Sequence, residues 1–146
     1  MRRLAAELGV TQPVIYSAFS GGRQALVDAV AVAGFEAIAA ALLSVPAEPR
    51  ARMQAYLDFA REQPRVYEAM FSMPSGIQFG TGTGPEALRR SFGAIREAFP
   101  GPDVTRAEVA WATLHGLATL ELTERLPLTR SKARVDYTHR VLTRRP

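Results

Sequence analysis

Two histidines, His115 and His139, are the only imidazoles in the 146 residues, and there is no cysteine. A zinc site needs three or four ligands drawn from such groups, and these two stand 24 residues apart, so no metal site is read from them. Disulfides, thiolate clusters and a cysteine nucleophile are excluded by composition. No Ser or Thr stands in a nucleophile motif, and carboxylates such as Glu62 and Glu68 fall at the spacing of solvated helix faces. No catalytic residue and no cofactor is therefore assigned. Binding chemistry remains. His115 stands in the middle of a largely apolar helix, where a ring nitrogen either hydrogen-bonds a ligand or packs as a satisfied core group. Tyr56, Phe59, Met70, Met73, Phe92 and Trp111 form the bulky apolar set around it in sequence. Burial of each is worth roughly 2 kcal/mol, which makes a core the first meaning of such a set. Beside the segment 74–85, with Gly76, Gly80, Gly82 and Gly84, the same residues suit the lining of an apolar pocket.

Apolar residues recur at three- and four-residue spacing throughout, and no stretch alternates with period two, so the fold class is all-α. Helices are expected over about 1–8, 11–18, 23–43, 50–62, 64–73, 86–99, 105–125 and 131–143. Gly9 is placed to end the first in a left-handed turn, Thr11 to cap the second, and Thr105 to cap the seventh with Glu108 in a capping box. Segment 74–85 reads as a flexible loop. The two-proline connector around Pro46 and Pro49 divides the chain into parts 1–44 and 45–146, joined by the long helix. No run of about 18 uninterrupted apolar residues occurs, and the first residues form no signal sequence, so a soluble cytoplasmic protein that avoids membranes is expected.

Two short helices joined by a Gly9-Val10 turn have the layout of a helix-turn-helix, whose second helix lies in the DNA major groove. Ala6, Leu8, Val10, Ile15 and Phe19 are expected to pack its small core. The net charge of +4 is spread unevenly: residues 1–30 carry +1, residues 31–124 carry −3 and residues 125–146 carry +6. The helix over 105–125 is apolar nearly all round, which implies a second helix surface against it.

The residues add more than the geometry. Arg3-Leu4-Ala5-Ala6-Glu7-Leu8-Gly9-Val10-Thr11, then Ile15-Tyr16-Ser17-Ala18-Phe19 and Ala25-Leu26-Val27-Asp28-Ala29-Val30, resemble the TetR family of bacterial transcriptional regulators. Residues 56–64, 67–71 and the run from Trp111 through His115-Gly116 to Glu121 resemble the C-terminal ligand domain of a TetR subgroup named for its Trp, His and Gly. The resemblance implies a homodimeric repressor that reads a palindromic double-stranded operator and is released by a small, mostly apolar effector. By position it puts Thr11 and Tyr16 on phosphates and Gln12, Val14 and Ser17 on base edges, with Arg2, Arg3 and Arg23 as further DNA-binding cations. It makes Tyr56, Phe59, Met70, Met73, Phe92, Trp111 and His115 the effector pocket. It sets Leu114, Leu117, Leu122, Val135, Val141 and Leu142 in a two-fold four-helix dimer interface.

Two features depart from the family pattern. The family has a complete helix, and a Ser or Thr cap on the next, ahead of the residues matching Met1-Arg2-Arg3, and a lysine where Gly22 or Arg23 stands. The first departure leaves a second expectation open: a ligand-binding or interaction dimer without operator binding.

Overall fold

The computed structural model describes residues 1–71 and 84–144. Among them the chain is all-helical: α1 (Arg2–Glu7), α2 (Gln12–Ala18), α3 (Gly22–Leu43), α4 (Pro49–Glu62), α5 (Pro64–Phe71), α6 (Glu86–Ala98), α7 (Thr105–Leu122) and α8 (Ser131–Thr143), with a 3-10 turn at Leu128–Arg130. These bounds follow the sequence expectations to within a few residues. Met73 and most of segment 74–85 lie outside the described residues.

Local chemistry explains the ends. After α1 the N–H of Gly9 donates to Ala6 O at 3.2 Å and that of Val10 to Ala5 O at 3.0 Å, the paired bonds of a Schellman turn. Gly9 supplies the left-handed residue this turn needs, at φ +66°. Pro49 and Pro64 sit in the first turns of α4 and α5, where a missing N–H costs nothing. At α7 the expected cap is displaced. Thr105 is already helical, and Asp103 Oδ1 accepts its N–H at 2.9 Å, so Asp103 rather than the Thr105 hydroxyl supplies the acceptor.

The long helix α3 is the spine. By length and composition it is apolar enough to cross a membrane. Here Ala31, Gly34, Phe35, Ile38, Ala39 and Leu42 form a buried stripe along it, packed chiefly on α5 and α6. Gly34 lets α5 come close: a Cβ there would lie 2.5 Å from Met70 Cγ, 2.8 Å from its Sδ and 2.9 Å from Val66 Cγ1. Helix α4 packs on α3, α7 and α8, and α6 packs on α3 and α7. The core between them includes Met53, Tyr56, Leu57, Phe59, Met70, Phe92, Ile95, Trp111, Leu114 and Val135.

A buried carboxylate ties the C-terminal helices. Glu121 on α7 takes Arg61 of α4 at 2.7 Å on one oxygen and Arg134 of α8 at 2.8 Å on the other, and Arg61 also donates to Ser131 Oγ at 2.5 Å. Burial opposes the charge on Glu121, but the bonds from Arg134, Arg61 and Ser131 outweigh it and hold the carboxyl below its usual range.

The helix pair α1–α2 is more lightly held. Ala5 and Ile15 are buried and Phe19 partly so, whereas Ala6, Leu8 and Val10, expected in the core, are exposed. A six-residue helix and a seven-residue helix have too few inward positions to cover one another fully.

Gly34→Ala is expected to destabilise the fold by about 1–3 kcal/mol through overpacking, seen as a lower urea midpoint. Paired with Met70→Ala it should cost less than the two single changes added together. Glu121→Gln leaves Arg134 without a carboxylate and Arg61 with Asp58 alone, 2.9 Å away. The expected loss lies at the lower end of the roughly 3–5 kcal/mol typical of a broken buried pair, because Arg61 keeps Asp58 and neither arginine side chain is fully enclosed. A loss under about 1 kcal/mol would show that the carboxylate is not the clamp described.

Candidate functional site

An unbroken line of ring contacts runs through the C-terminal part. Phe92 of α6 lies 5.8 Å from Trp111 of α7, Trp111 6.0 Å from Tyr56 of α4, and Tyr56 5.9 Å from Tyr67 of α5, all between ring centroids. From Tyr67 the line divides to Phe71, at 4.9 Å, and to His115, at 5.8 Å. Phe71 and His115 are themselves 4.1 Å apart, and Phe71 meets Phe35 of α3 edge to face. Contacts of this geometry add about 0.5–1.5 kcal/mol each beyond burial, so the line joins five helices as one unit.

Hydrogen bonds follow the same path. Tyr56 Oη and Tyr67 Oη are 2.9 Å apart, and Tyr67 Oη is 2.8 Å from His115 Nδ1. Burial, reinforced by the neighbouring hydroxyl, pushes the Tyr56 phenol well above its ordinary value. Burial also raises Tyr67, against a partial lowering by the Tyr56 bond, so both hydroxyls are neutral. Burial depresses the His115 imidazole below its usual range.

The line surfaces in a cleft of about 650 Å³ between α5 and α7. Tyr67, Phe71 and His115 form its apolar wall with Pro64 and Leu122; Thr119 and Thr123 add hydroxyls, and Arg65 pairs with Glu68 at the rim, 3.3 Å apart. Such a volume and mixture of apolar surface with a few polar groups fit a small ligand.

The expected pocket residues divide. His115 lines this cleft. Tyr56, Phe92 and Trp111 lie behind it, linked through ring contacts, while Phe59 and Met70 are core residues and Met73 lies outside the described residues. Tyr67 and Phe71, which also line the cleft, are not among the expected pocket residues, although both fall in a family-like segment. Their four-residue spacing on α5 matches that of Trp111 and His115 on α7, which is the signal that two facing helices share one aromatic seam.

Helix α7 has two unlike faces. Ala107, Ala110, Trp111, Leu114, Ala118 and Glu121 point into the subunit. Val109, Ala112 and Leu120 are exposed, with Thr113 and Gly116 half-buried between them, and a Cβ on Gly116 would meet nothing within 4 Å. Of the expected interface residues, Leu114 and Val135 are consequently enclosed in their own subunit. Leu117, Leu122 and Leu142 pack partly against the core, and Val141 stands open on α8 beside exposed Tyr137.

At the other end, α2 turns Ile15 inward and leaves Val14, Tyr16 and Ser17 exposed and Gln12 half-buried. Thr11 occupies the N-cap position, but its hydroxyl makes no capping bond and is open to a ligand. Arg2, Arg3 and Arg23 are exposed, Arg3 in an ion pair with Glu7 at 3.1 Å.

An all-helical bundle of this kind, with a short helix pair ahead of it, defines a class. The family model for the tetracyclin repressor-like C-terminal domain matches residues 50–143, so the chain belongs to the TetR-like regulators. No curated protein and no solved structure matches it.

The depressed His115 gives a pH dependence of known sign. The unfolded chain takes up this proton before the folded one does. The His115 contribution to stability is therefore complete above pH ~6.5 and declines as the pH falls below it. Urea midpoints measured downward from neutrality should fall more steeply for the native chain than for His115→Gln. Equal slopes would mean that His115 is not held neutral by its surroundings.

Proposed function

We propose that this chain is a DNA-binding transcriptional repressor of the TetR subgroup with the Trp-His-Gly C-terminal domain, acting in the cytoplasm as a homodimer and released from a palindromic operator by a small, mostly apolar effector. The observation that carries the reading is the α5–α7 cleft, because α7 supplies both a wall of the cleft and an open outer face. An effector seated against Tyr67, Phe71 and His115 bears on the helix that a partner subunit would pack against. Tyr56, Phe92 and Trp111 support that wall from behind. Differential binding to two dimer geometries is then sufficient for release, since reading heads at the wrong spacing no longer match successive grooves.

In this reading α2 enters the major groove with Gln12, Val14 and Ser17 toward the bases, while Thr11, Tyr16, Arg23, Arg2 and Arg3 hold the backbone. Operator affinity rests on two half-sites and hydrogen bonds more than on charge, the first 30 residues carrying only +1. The outer stripe of Val109, Ala112, Gly116 and Leu120, with Tyr137 and Val141 of α8, supplies the dimer face. Small residues at its centre let two α7 helices approach closely.

Two measurements test this. In a mobility-shift assay at stated salt, the chain should retard DNA from its own promoter region, and Tyr16→Ala and Gln12→Ala should weaken the complex at least tenfold. No specific complex from a folded dimer would overturn the operator reading. Gly116→Leu should turn the dimer into a monomer in analytical ultracentrifugation with its helical circular dichroism retained, since the added side chain has room within its own subunit. A variant that remains dimeric would remove α7 from the interface.

A further inference from the structure

The Tyr56–Tyr67–His115 line contains two hydroxyl protons and a ring nitrogen, and counting acceptors fixes their directions. Among the described residues Tyr56 Oη is fully buried and meets no polar atom other than Tyr67 Oη. If Tyr67 donated to Tyr56, the Tyr56 proton would be left in the core without an acceptor. Among acceptors of the described residues, every donor is satisfied only when Tyr56 donates to Tyr67 and Tyr67 donates to His115 Nδ1. Nδ1 is then a bare acceptor. The imidazole proton must sit on Nε2, the one ring nitrogen left for the cleft that His115 lines.

We propose that this buried hydroxyl line locks His115 as the neutral Nε2–H tautomer, so that the cleft presents a fixed hydrogen-bond donor and selects apolar compounds bearing a carbonyl-type acceptor. The ligand class rests on the reading that this cleft takes the effector; the tautomer does not. The rest of the lining agrees. Phe71, Pro64 and Leu122 offer apolar surface to the body of such a molecule, and the charges at the rim, Arg65 and Glu68, pair with each other at 3.3 Å. An N–H donor without an acceptor would face a donor on His115 and find no partner there, which is the kind of mismatch that polar sites reject strongly. The depressed imidazole keeps the ring neutral near pH 7, consistent with the donor count.

Nitrogen-15 labelling of the histidines in the full chain tests both halves by NMR, with His139 as the internal reference. Near neutral pH, His115 should show a bare Nδ1 and a protonated Nε2. Tyr67→Phe should release it to a mixture, whereas Tyr56→Phe, which leaves the Tyr67 bond intact, should retain the bias. An Nδ1–H tautomer or an imidazolium in the native chain overturns the proposal, whatever the variants do. Acetophenone and α-methylstyrene, which differ by an oxygen replaced with CH2, are then titrated as probes. Acetophenone should move the Nε2–H signal and bind about tenfold more tightly than the hydrocarbon. Equal affinity of both at the cleft overturns the acceptor class and leaves the cleft reading intact. If neither moves a cleft signal, the ligand class falls together with the cleft reading, while the observed tautomer still decides the hydroxyl line.

Discussion

The hydroxyl of Tyr56 cannot reach water, and the C-terminal part is arranged around satisfying it. Its ring is fully buried at the centre of the α4 contacts, so the polar tip needs a partner from another helix, and Tyr67 on α5 supplies it. Tyr67 in turn needs an acceptor, and His115 on α7 provides one. Three helices are thereby held in one relative placement by two hydrogen bonds. An apolar core of the same volume would leave their sliding less restricted. The same bonds bring an imidazole to the surface beside Phe71, which is why the cleft and the core are parts of one network.

Helix α7 carries the consequences outward. Its inward stripe packs the core and ends in Glu121, which fastens it to α4 through Arg61 and to α8 through Arg134. Leu122, next along the helix, already faces the cleft. On the far side lies the open stripe centred on Gly116. The α5–α7 cleft, the buried ion network and the outer face therefore share one helix. Under the proposed function, that shared helix is the route by which a binding event would reach a subunit boundary.

The N-terminal helices follow a different logic. Ile15 is the one buried residue of α2, and Leu8, Val10 and Val14 stand open, so α1 and α2 are positioned by their turn chemistry as much as by packing. The Schellman turn at Gly9 fixes how α2 leaves α1, and Gly22, also at positive φ, starts α3 with the Tyr16 ring 3.7 Å from where its Cβ would be.

Most of the element order was legible in the sequence, because helix periodicity, prolines in first turns and glycine at a left-handed turn are local properties of the chain. The family resemblance was legible for the same reason, being carried by contiguous runs such as Trp111 to Glu121. What contiguous residues could not show was which side of a helix meets which neighbour. Leu114 and Val135 were apolar and plausible at an interface, yet they are enclosed, since α4 and α6 occupy that side of α7 and α4 also covers α8. Glu121 drew no separate assignment from the sequence, although it falls on the inward stripe of α7, where Arg61, Arg134 and Ser131 from two other helices make its burial tolerable. Tyr67 became a site residue because α5 and α7 face each other across a cleft, a fact that depends on Gly34 admitting α5 close to α3. The sequence by itself determined the helices, most of their ends and the family. Tertiary structure alone decided the cleft and which polar groups meet beside it, because those depend on distances between residues up to 59 positions apart.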